Sequence, residues 1–192
     1  MSKLFIAIVG PSGSGKTTIA EMLEEEFGLM QIQSYTNRQK RYDGEKGHIF
    51  IDERDVSKIK EKYPDIVADD IFDGNYYFST QSQIEECDIY VVSPDAVPML
   101  KQNYNGDKVI KVLYVKAPSC LRRLRMIRRG DSKESAKQRI DHDARVFKYA
   151  ELLADSVVVN IVRSETRQSV IDIVNKWRNE VGKKSKSKSR HR

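Results

Sequence analysis

The residues with the plainest chemistry are Gly10, Pro11, Ser12, Gly13, Ser14, Gly15, Lys16 and Thr17, spaced as G-x-x-x-x-G-K-[ST]. Glycines in such a run let backbone amides turn inward around a phosphate chain. A helix opening directly after the run adds the positive end of its dipole. Lys16 then reaches the β- and γ-phosphates of a nucleoside triphosphate, Thr17 is placed to hold Mg²⁺, and Thr18 continues the same turn. A glycine-rich turn with a solvated lysine is the bland alternative. It requires neither a strand before the loop nor a helix after it, and the sequence offers both. The loop alone does not name a reaction, because GTPases, ATPase motors and small-molecule kinases share it.

Two other clusters bear on that choice. Seven arginines lie between Ser119 and Arg145. On a helix Arg122, Arg125 and Arg129 fall within about 60° of one face, with Leu121, Leu124 and Ile127 on the other. Arg139 follows on the next helix. Fixed guanidiniums suit phosphoryl transfer, where negative charge spreads over the transferred group and its neighbours. A solvated or nucleic-acid-binding basic helix is the alternative, and the phosphate loop in the same chain turns the balance against it. The second cluster is Ser34, Arg38 and Arg41. Two bidentate donors and a hydroxyl can clamp a dianionic phosphate, or they can be a solvated basic loop. Further on, Gly74 to Thr80 reads as a glycine-started turn whose tyrosines are equally at home in a core.

These residues need a frame. Leu4 to Val9 reads as a buried strand. Ile19, Leu23 and Phe27, four apart, predict a helix ended by Gly28. Strands follow at Met30 to Gln33, His48 to Ile51, Ile89 to Val92, Val109 to Val115 and Val157 to Ile161. Helices are predicted at Asp52 to Tyr63, Thr80 to Glu86 with a capping box, Asp95 to Gln102, Ser119 to Arg129 and Ser132 to Leu153. Val170, Val174, Trp177 and Val181 give a last amphipathic helix. Short buried strands alternating with helices predict an α/β fold, a parallel sheet covered on both faces.

The chain has 192 residues, enough for one domain with a sizeable core, placed at 1 to 182. Its net charge is +6, and Lys183 to Arg192 supply all of it, so residues 1 to 182 sum to zero. That segment has no apolar residue and reads as a disordered tail able to make weak contacts with nucleic acid. No apolar run approaches the ~20 residues of a membrane span. The six apolar residues from Leu4 to Val9 are too few for a secretory signal, so a cytoplasmic location is expected. Cys87 and Cys120 stand far apart, without disulfide or zinc spacing.

The loop GPSGSGKT, the stretch SYTNRQKR and the segment GNYYFST, in that order, resemble the guanylate kinases. The resemblance covers most of residues 1 to 162. It implies a three-layer P-loop fold with a nucleotide-monophosphate-binding insert, about 33 to 80, and an arginine-rich lid, about 119 to 142. It implies ATP and Mg²⁺, with transfer of the γ-phosphate to a small-molecule nucleotide, GMP or dGMP. Ser34, Arg38, Arg41 and Tyr77 would hold the acceptor phosphate, and Ser79 would face the base. Lys16, Arg125, Arg129 and Arg139 would be catalytic, and Asn160 would lie by the ATP adenine. The family's base-reading glutamate, eleven residues before the serine, is Ala68 here, with Asp69 the nearest substitute and Asp70 beside it. The family's Asp-x-Asp after the third core strand is replaced by Val92-Ser93-Pro94-Asp95, leaving Asp95 as the candidate for Mg²⁺. Another acceptor is the main rival reading: a different nucleotide, a sugar phosphate or a modified base in a polynucleotide. A guanylate-kinase-like binding module without catalysis is a lesser rival, because such modules typically lose the loop lysine or the lid arginines that stand here.

Overall fold

The computed structural model describes residues 3–40, 43–45 and 47–189. In chain order the first elements are β1 (Leu4–Val9), α1 (Lys16–Phe27), β2 (Ser34–Thr36), β3 (His48–Phe50), α2 (Val56–Lys62), β4 (Ile66–Phe72), β5 (Asn75–Thr80) and α3 (Gln81–Glu86). The remainder are β6 (Ile89–Val91), α4 (Ala96–Asn103), β7 (Val109–Lys116), α5 (Ser119–Arg128), α6 (Lys133–Val146), β8 (Ser156–Val159) and α7 (Arg163–Ser189).

Every residue of β1 is buried, because helices cover both of its faces. Side chains alternate along a strand, so Leu4, Ile6 and Ile8 enter one core and Phe5, Ala7 and Val9 the other. β1 lies inside a four-stranded parallel sheet of order β6-β1-β7-β8. On the first face α1 contributes Ile19, Ala20 and Leu23, and α7 contributes Val170, Val174, Trp177 and Val181. The spacing of four, three and four puts those α7 residues on one stripe. Ile84 of α3 and Ala96, Val97 and Leu100 of α4 cover the second face. The three-layer α/β architecture of a P-loop protein follows directly.

A second sheet, β3-β2-β5-β4, is mixed: β2 and β3 run parallel, while β5 is antiparallel to both β2 and β4. Its hairpin turns at Asp73-Gly74, where φ is +53° and +74°. Two residues with positive φ give a turn whose twist matches that of the flanking strands.

Several expectations are corrected. The second strand lies at Ser34–Thr36, not at Met30 to Gln33. Met30 instead lends its carbonyl to the amides of Asp88 and Ile89, docking the segment beside β6 as a single bridge. The stretch from Gly74 to Thr80 is a strand rather than a turn, paired to a strand that the sequence reading omitted altogether. The helix expected from Ser132 to Leu153 stops at Val146, and a 3₁₀ turn over Ala150–Leu153 follows. The basic segment expected to be a disordered tail continues α7 as far as Ser189. No glycine or proline follows Gly182, and lysine is a good helix former, so nothing in that stretch stops the helix. Among the described residues no helix is long and apolar enough to cross a membrane.

Leu23 is fully buried in the core that also holds Trp177, the chain's one tryptophan. Leu23→Ala should cost ~2–5 kcal/mol. Urea unfolding followed by Trp177 fluorescence measures it, and a loss under ~1 kcal/mol would show that this face is not the main core.

Candidate active site

The phosphate loop begins where β1 runs out at Val9. Gly15, with φ +98°, is the N-cap of α1 and has no side chain to cap it. The amides of the first turn therefore have no side-chain cap, the arrangement found where helix N-termini take an anion. The loop's carbonyls are held by side chains. Arg125 donates to the carbonyls of Gly13 and Ser14, both at 3.3 Å, and to that of Asn160 at 3.0 Å. Asn160 Nδ2 donates to the Ser14 carbonyl at 2.8 Å. Lys16 Nζ donates to Gly10 O at 2.5 Å and Pro11 O at 3.2 Å, folded over the loop's mouth. The carbonyls of Gly10, Pro11, Gly13 and Ser14 are thus all occupied by side-chain donors. Burial pulls the Arg125 pKa below its ordinary value.

The loop opens into a cleft of about 890 Å³. Gly10, Ser12, Gly13, Gly15, Lys16, Thr17 and Thr18 line one end. Ser34, Arg38 and Tyr77 line the wall formed by the second sheet, and Arg125, Arg129 and Arg139 the wall formed by α5 and α6. The structure thus brings together most of the residues expected from sequence. Pro11 and Ser14 are buried in the back of the loop. Arg41 lies outside the described residues.

Four expected residues sit elsewhere. Asn160 is buried and braces the loop from behind rather than lining the cleft. Ser79 is fully buried beside Ala68, behind Tyr90, whose ring reaches the cleft. Asp95 is exposed at the start of α4, away from the cleft, because Pro94 turns the chain there; Ser93 lines the cleft in its place. Asp69 is paired with Lys60 of α2 at 2.7 Å, on the far face of β4. Strand alternation puts Ala68, Asp70 and Phe72 on the face opposite to Asp69. Asp70 and Phe72 line the cleft. Asp70, not Asp69, is therefore the one of these two adjacent carboxylates that faces the cleft. It pairs in register with Tyr77, whereas Ala68 pairs with Ser79.

The cleft's arginines carry counter-ions. Arg38 forms a two-pronged ion pair with Glu45, at 2.8 and 3.2 Å. Asp131 holds Arg129 at 2.7 Å and lies 3.7 Å from Arg139. Arg122, expected on the cationic face of its helix, is instead buried against Asp143 at 2.9 Å. Met126 is buried one turn on, while Leu124 is exposed. α6 therefore packs on a stripe that the apolar pattern did not mark.

Sequence reasoning missed Tyr90, Glu45 and Asp131, and of the adjacent pair Asp69 and Asp70 it took Asp69 as the candidate. Burial pushes the Tyr90 phenol up to about 12, against the opposing influence of the Ser79 and Ser34 hydroxyls, so it is a neutral donor at working pH. His48 Nδ1 lies 2.9 Å from Ser34 Oγ, with its ring edge-on to Tyr77. Two buried polar atoms in the cleft wall, Arg38 Nε and Asp70 Oδ2, have no hydrogen-bond partner among the described residues.

Gly13 has φ +73°, and a Cβ built there would lie 2.6 Å from the Arg122 carbonyl. Gly13→Ala should therefore destabilise the fold by at least ~1 kcal/mol. Urea unfolding reads this, and an unchanged midpoint would mean that the loop is not pressed onto α5.

No protein-family model matches the chain. Over 81 residues it is 32% identical to guanylate kinase of Fusobacterium nucleatum subsp. nucleatum. That stretch is 41% of this chain and 43% of that protein, so the chain spans less than half of its curated relative's length in the match. The crystal structure of guanylate kinase from Anaplasma phagocytophilum superposes with a TM-score of 0.62 at 17% identity, covering 91% of this chain and 86% of that one. TT1252 from Thermus thermophilus superposes at 0.53 with 16% identity, over 92% and 98% of the two chains. The chain therefore has a guanylate kinase-like P-loop fold, and over 81 residues its sequence is similar to a guanylate kinase.

Proposed function

We propose that the protein is an ATP-dependent nucleoside-monophosphate kinase, with GMP or dGMP the first acceptors to test. The observation that carries this reading is a single cleft walled by the phosphate loop, the hydroxyl- and arginine-bearing sheet, and the lid arginines. Such a cleft suits two phosphate chains end to end. ATP would place its β- and γ-phosphates on the loop amides and Lys16. The acceptor phosphate would take Arg38, Tyr77 and Ser34.

Thr17 is exposed on the first turn of α1 and lines the cleft. Mg²⁺ in phosphoryl-transfer sites keeps waters and sits largely on substrate phosphates, so one hydroxyl suffices and no protein cage is needed. Among the described residues no cluster of His, Cys, Asp or Glu forms such a cage. Thr17 therefore fits the ion, which when bound neutralises phosphate charge.

An oxygen of the acceptor phosphate would attack the γ-phosphorus. The bond to the β–γ bridging oxygen would break, and ADP would leave with that oxygen's charge. The attacking oxygen is already anionic, so no general base is required. The chain's part is to align the two phosphates and to neutralise the spreading charge with Arg125, Arg129 and Arg139. Asp131 and Glu45 would be the counter-ions that the substrates replace. The Arg129–Asp131 pair is part-exposed, so its exchange is cheap, whereas the Arg38–Glu45 pair is mostly buried and the incoming acceptor phosphate must compensate for the carboxylate it displaces.

One observation favours a second reading, a phosphate acceptor other than a guanine nucleotide. Ala68, without any carboxylate, pairs with Ser79, and the cleft-facing carboxylate has moved two residues along β4 to Asp70.

Steady-state kinetics with each substrate varied separately tests the assignment. Lys16→Ala should lower kcat/KM well over tenfold, and activity within tenfold of wild type would sink the kinase reading. Arg38→Lys keeps the charge but loses the planar fork, so it should cost ~1.5–3 kcal/mol in acceptor use. ATP affinity should barely move. Arg129→Ala should lower turnover with both substrates saturating. Equal damage to ATP binding by Arg38→Lys would remove residues 34 to 38 from the acceptor site.

A further inference from the structure

We propose that the buried pair Arg122–Asp143 is a positioning device for the phosphate loop, setting its affinity for ATP without touching the nucleotide. The proposal rests on the reading of that loop as the ATP site.

Asp143 Oδ2 accepts the Ser12 amide at 2.8 Å and the Arg122 guanidinium at 2.9 Å, while Oδ1 lies 3.4 Å from Ser12 Oγ. Arg122 also donates to the Ser12 carbonyl at 3.4 Å. One loop residue, Ser12, is thus held at both its N–H and its C=O by two side chains from α5 and α6. Neither side chain lines the cleft. Asp143 is 1% exposed and Arg122 8%.

A pair this deeply buried is a poor means of joining two helices. Apolar side chains of similar volume commonly do that as well or better, since a buried pair costs desolvation. Apolar side chains would, however, leave the Ser12 amide without an acceptor. What the charged pair supplies is direction. It commits the Ser12 N–H outward, and it fixes the loop just before Gly13, which already rests against the Arg122 backbone. The same two helices carry the cleft-facing arginines. Arg125 stands three residues beyond Arg122 on α5, and Arg139 four residues before Asp143 on α6. The loop and the lid arginines are thereby referred to one rigid pair.

The test separates orientation from stability. The double variant Arg122→Met/Asp143→Leu replaces the pair with apolar groups, and Asp143→Asn keeps one acceptor oxygen but drops the charge. Arg122→Lys keeps the charge. Each is studied where Trp177 fluorescence shows it fully folded, and ATP is titrated by calorimetry. The double variant should unfold at a urea midpoint near wild type yet bind ATP at least tenfold more weakly. Asp143→Asn should fall between, with Arg122→Lys nearest to wild type. Should the double variant not fold, Asp143→Asn against Arg122→Lys decides alone. Wild-type ATP affinity in the folded variants would overturn the proposal and leave the kinase reading intact. Absence of ATP binding by the wild type would overturn both.

Discussion

Everything in the site depends on which way the phosphate loop's peptide groups point. A backbone that turns its amides toward an anion must dispose of its carbonyls on the other side, and buried carbonyls need donors. Here those donors are Arg125, Asn160 and Lys16, drawn from α5, the end of β8 and the first turn of α1. The parallel sheet exists, functionally, to bring those three elements to the C-terminal end of β1. Bracing of this kind is why Asn160 and Arg125 act on the loop itself.

Charge compensation is graded across the site. Glu45 and Asp131 neutralise arginines that line the cleft, whereas Asp143 neutralises one that does not. A phosphate entering the cleft can take over the first two roles, at small cost at the part-exposed Arg129 and at a larger one at the mostly buried Arg38. It cannot reach the third, where removing one partner would strand a buried charge, typically a 3–5 kcal/mol loss. The cleft therefore combines arginines free to change partner with a loop that is not free to move.

The phosphate loop was legible because its chemistry lies in eight consecutive residues whose flanking elements are strongly patterned. The central sheet was legible for the same reason: β1 and β7 are apolar runs with no competing period. The second sheet was harder. Asp73-Gly74 is a hairpin turn with β-formers on both sides, but the glycine and the polar residues around it read equally well as a single turn. Without β4 as a strand, nothing distinguished Asp69 from Asp70, and alternation is what sends one to Lys60 and the other to the cleft. Arg122 shows a different limit. A helical wheel groups it with Arg125 and Arg129, but its partner is 21 residues away on another helix, which no local pattern reports. Asp95 stands as a Mg²⁺ candidate only through the resemblance to the family's Asp-x-Asp, and the turn at Pro94 carries it outward.

The central claim is that this cleft transfers a phosphoryl group from ATP to a phosphate. Phosphorus NMR of the protein with ATP, Mg²⁺ and each nucleoside monophosphate in turn tests it directly, because it identifies the bond that is made. The account predicts ADP together with a new diphosphate resonance from one or more acceptors, GMP or dGMP first among them, in equal amounts. Inorganic phosphate as the sole product, a phosphate monoester formed on a hydroxyl, or no consumption of ATP with any acceptor would contradict it.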